Sequence, residues 1–132
     1  PLLGWISDKI LPAVPLLSLV GFAIFLCGLA LSALSADWPY LLLCALSFLA
    51  GVVAAGWNGV YISEIARVMP SADVGRATGG VSAFTFLGVV IGPAAFTTIV
   101  GFSGSYSIAF LVVGTIAIGP AVILLLRYFN QK

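Results

Sequence analysis

The chain has 132 residues, of which 62% are hydrophobic and 7% charged, whereas a soluble domain carries about 25% charged residues on its water-facing surface. A net charge of +1 offers no dense basic patch for nucleic acid, and two cysteines without any histidine exclude a metal-ligand cluster. The solvent for most of this chain is the lipid bilayer.

The chain opens on Pro1, and no basic stretch precedes a short apolar one, so it does not start like a signal peptide. It is expected to have been entered partway through a longer protein, residues 1–12 being the end of a preceding helix and a loop. Residues 13–34 form the first apolar run. Roughly 22 residues at a rise of ~1.5 Å cross the ~30 Å hydrocarbon core with little tilt. Residues 35–39 then make a short loop in which Pro39 marks the start of the next helix, and Trp38 and Tyr40 sit at an interfacial aromatic belt.

The second run, 40–62, leads into the most polar stretch, 63–76, which holds Glu64, Arg67, Asp73 and Arg76 and is broken by Pro70. It reads as a loop ending in a new helix start. The third run covers 77–100, residues 101–105 form an uncharged turn, and the fourth run covers 106–126 before a tail, 127–132. Period-two alternation is absent and each run is twice the length of a barrel strand, so strands are excluded. The expected fold class is an all-α integral membrane protein of four antiparallel transmembrane helices.

Lys9, Arg67, Arg76, Arg127 and Lys132 all fall on the face shared by the two ends and the middle loop. With every loop short, this positive-inside bias places both termini in the cytoplasm.

No acid, base or histidine lies deep in a span, so a proton relay would need other helices. Glu64 stands at a membrane edge, where structural pairing is the expected role. Gly88 and Gly92 are four apart in the third span with Pro93 directly after them, a pattern for close helix contact or a hinge. Gly75 and Gly79 repeat the spacing, and Gly119-Pro120 is a candidate kink in the fourth span. Ser47, Asn58 and Tyr61 share one face of the second span, where they would either border a solute path or bond between helices. Thr85, Thr97 and Thr98 are weaker signals, because a hydroxyl can bond back to the preceding turn. Trp5 and Trp57 suit interface anchoring, and Cys27 and Cys44 suit small apolar packing.

The run Gly4-Trp5-Ile6-Ser7-Asp8-Lys9 resembles the Gly-x-x-x-Asp-Arg/Lys loop motif of the major facilitator superfamily. Glu64…Pro70…Gly75-Arg76 is similar to that family's loop between helices ten and eleven. Gly88-Val89-Val90-Ile91-Gly92-Pro93 resembles its Gly-x-x-x-Gly-Pro motif. Two departures stand beside the match. Ile10-Leu11-Pro12 replaces the second half of the loop motif, and Ala94-Ala95-Phe96 replaces a trailing glycine pair, so an antiporter label is unjustified.

The resemblance implies helices nine to twelve of a twelve-helix transporter, with the tail of helix eight in front. It implies that Gly4, Asp8 and Lys9 form a cytoplasmic charge cluster with Glu64 and Arg76. It makes Ser47, Asn58 and Tyr61 candidate cavity residues and Gly88, Gly92 and Pro93 conformational ones, and leaves the first and last runs peripheral and lipid-facing. The expected function is that of a fragment of a secondary active transporter, moving a small solute by alternating access and not competent alone. A bacterial inner membrane is the expected setting. The expected partners are the bilayer, the missing amino-terminal helices and the small-molecule solute, without nucleic acid, metal or cofactor. A non-transporting membrane scaffold or assembly subunit is the alternative. A complete four-helix multidrug exporter is a further one, although the embedded glutamate expected in its first helix is missing. Without histidine or an embedded carboxylate no nucleophile–base–acid set can be drawn, and the chain does not read as an enzyme.

Overall fold

Prolines set where the helices begin. The computed structural model of the chain describes residues 11–35 and 37–130, and in it α1 (Ala13–Ser32), α2 (Tyr40–Val68) and α3 (Ser71–Ser103) each start directly after a proline. Pro12, Pro39 and Pro70 sit at the N-cap with extended backbone. Their carbonyls accept the first helical bonds, as from Asp73 N–H to Pro70 O at 2.9 Å. Pro15 lies within the first turn of α1, where an N–H would have no intrahelical acceptor in any case. The fourth helix, α4 (Tyr106–Asn130), follows a turn at Gly104.

All four helices are long and apolar enough to cross a membrane, and the protein is an all-α bundle of antiparallel membrane-spanning helices. Large apolar side chains remain open on its outside, among them Phe84, Phe86 and Phe102. A soluble monomer does not leave apolar surface on that scale facing water.

The helices run past the apolar stretches that announce them. The polar stretch 63–76 is helical on both sides of a two-residue break, Met69-Pro70. Charged residues do not end a helix. A proline does, because its Cδ drives the residue before it out of the α region, and Met69 is extended at φ −91°, ψ 145°. Arg67 falls in the last turn of α2 and Asp73 in the first turn of α3, each at the helix end whose dipole favours its charge. The turn expected over 101–105 shrinks to Gly104-Ser105. Gly104 is left-handed at φ 66° and donates its N–H to Val100 O at 2.8 Å, closing α3. Arg127, expected in a tail, belongs to the last turn of α4.

Packing is uneven. α1 lies against α2 and, more extensively, against α4, while α3 keeps looser contact with its two sequence neighbours. Five residues of α1 are buried and none of α3. Within these four helices α1 is the best-covered element. The reason is steric. A Cβ placed on Gly21 would stand 2.7 Å from Ala121 Cβ, and one on Gly28 would stand 2.8 Å from Gly114 Cα. The two backbones touch because the side chains between them are missing, which is how small residues drive helix association in lipid. At one end of the α1–α2 contact, Val60 is completely enclosed with Ala13 and Leu16.

Candidate functional site

Three features hold the residues singled out by the sequence. The first is the polar end of α2 and α3. Glu64 Oε2 and Arg67 Nη2 are 2.8 Å apart on one helix face, with Arg67 mostly exposed. A pair three residues apart on an open helix contributes about 0.2–0.5 kcal/mol. Arg76 stands exposed on the second turn of α3, beside a recess of about 440 Å³ that Met69, Asp73 and Phe84 also line. The structure thus joins Glu64 to Arg67 and forms no Glu64–Arg76 ion pair among the described residues. Gly4, Trp5, Asp8, Lys9 and Lys132 lie outside the described residues.

The second feature is a crevice along the α1–α4 pair, roofed by α2. Its larger recess, about 380 Å³, is bordered by Leu17 and Val20 of α1, Trp57 and Tyr61 of α2, and Pro120 and Leu124 of α4. Trp57 and Tyr61 form a tilted ring pair, 6.1 Å between centroids. A smaller recess of about 150 Å³ lies between the same three helices, near Cys27, Ala50, Ala54 and Phe110. Ile24 borders both. Tyr61 borders the larger recess, among α1, α2 and α4. Asn58, half-buried, and Ser47, exposed, border neither recess. Trp57, read as an interface anchor, is a wall of the larger recess. Both recesses are walled almost wholly by carbon, so they suit apolar matter and not an ion.

The third feature is the outer length of α3. Gly88 and Gly92 would meet nothing within 4 Å if given a Cβ, and the same holds for Gly75, Gly79 and Gly80. Pro93 sits inside the helix, where its missing N–H leaves Val89 O without its usual donor. Thr97 Oγ1 donates to Pro93 O and Thr98 Oγ1 to Ala94 O, at 3.0 and 2.7 Å. Thr85 likewise bonds back to Val81 O at 3.1 Å. These hydroxyls are satisfied within their own helix, as their residue type suggests. Thr78 differs, with a buried Oγ1 that has no partner among the described residues.

The sequence reading passed over Gly21, Gly28, Gly114 and Ala121. A signal was present, because both small-residue pairs are seven apart, two turns of one helix face.

Among the described residues no group of three histidine, cysteine, aspartate or glutamate side chains is placed to hold a metal ion. No curated protein and no solved structure matches the chain. The model of one family, described as Major Facilitator Superfamily, matches residues 1–132. Four apolar helices, glycine-rich contacts and an open α3 agree with that match, and the chain belongs to the major facilitator superfamily.

Proposed function

We propose that this chain is helices nine to twelve of a twelve-helix secondary transporter that carries a small solute by alternating access. On this reading α2 borders the central solute path, α3 lies at the interface between the two halves, and both ends are cytoplasmic, in a bacterial inner membrane. The observation that carries it is α3. It has no buried residue, and the glycines along it face open space. Small residues on a membrane helix are contact surfaces for other helices, and further helices of the same fold would cover them. Asp8 and Lys9 would then join Glu64 and Arg76 at the cytoplasmic rim, and Asn58 and Tyr61 would stand near the path.

The test is uptake by the full-length parent reconstituted in vesicles, screened against classes of small solutes. Saturable accumulation by the parent, with none from residues 1–132 alone, is the expected result. Uptake by the 132-residue chain itself would overturn the reading.

A further inference from the structure

We draw no further inference here: the strongest candidate, the apolar recess of about 380 Å³ that Trp57 and Tyr61 border between α1, α2 and α4, carries nothing because nothing in the structure shows what covers it.

Discussion

Gly104 is the position where one hydrogen in place of a methyl group turns the chain. Its φ of 66° is the one positive value among the described residues, and an L side chain there costs about 1–2 kcal/mol. Three residues earlier, Gly101 is helical and open on all sides. Gly104→Ala is therefore expected to destabilise by about 1 kcal/mol or more, while Gly101→Ala gains up to about 1 kcal/mol in helix propensity. Denaturation of the two variants in mild detergent checks the pair, and loss at both would refute the turn geometry. The proposed cytoplasmic cluster of Asp8, Glu64 and Arg76 gives a second test at this scale. In the full-length parent, neutralising Asp8 should slow transport more than neutralising Asp37, with membrane insertion intact. Neutralising Arg76 as well should restore part of the rate, because it removes the charge that the first change left unpaired. Strictly additive losses would leave Arg76 a topology signal alone. Glu64→Gln should matter little for stability, since its partner Arg67 is mostly solvent-exposed.

At the scale of the helices, what the sequence disclosed and what it hid follow from range. Hydropathy is local, so the four apolar runs and their order were legible at once. The helices continue beyond those runs, because polarity does not stop a helix and only Met69-Pro70 interrupts the backbone between Tyr40 and Ser103. The seam between α1 and α4 leaves only the seven-residue spacing of its small residues in the sequence. It joins residues far apart in the chain, and nothing in either helix names its partner. Tyr61 and Asn58 share a face of α2, yet only Tyr61 borders a recess among these helices, since a helix face is broader than a recess mouth. Pro93 yields a prediction of its own. Replacing it by alanine returns an N–H to Val89 O and removes a helix penalty of up to about 3 kcal/mol. Pro93→Ala in the parent should raise the thermal midpoint and lower the transport rate per molecule. An unchanged rate would deny α3 a bending role at this point.

For the molecule as a whole, the connections leave little freedom. Met69-Pro70 and Gly104-Ser105 are two-residue links, so α2, α3 and α4 must alternate in direction. Orientation in the membrane is then a single choice, and we expect Asp37 and Gly104 outside with Arg67 and Lys132 inside. Single-cysteine labelling from each side, after replacing Cys27 and Cys44, reads it directly. Labelling of position 67 from the outside alone would invert the whole assignment, because no helix can turn over by itself.

The pairing of α1 with α4 also sets an order of events at the ribosome. Gly28 and Gly21 emerge long before Gly114 and Ala121, and at ~5–20 residues per second the gap lasts on the order of 5–20 seconds. During that interval α1 resides in the bilayer with its bare backbone groove occupied by lipid, while α2 and α3 are threaded in beside it. Only when α4 arrives does the groove exchange lipid for protein. A nascent chain halted before Tyr106 would hold α1, α2 and α3 in the bilayer and still lack the close α1–α4 contact, which makes the delivery of α4 the commitment step in assembling this part of the protein.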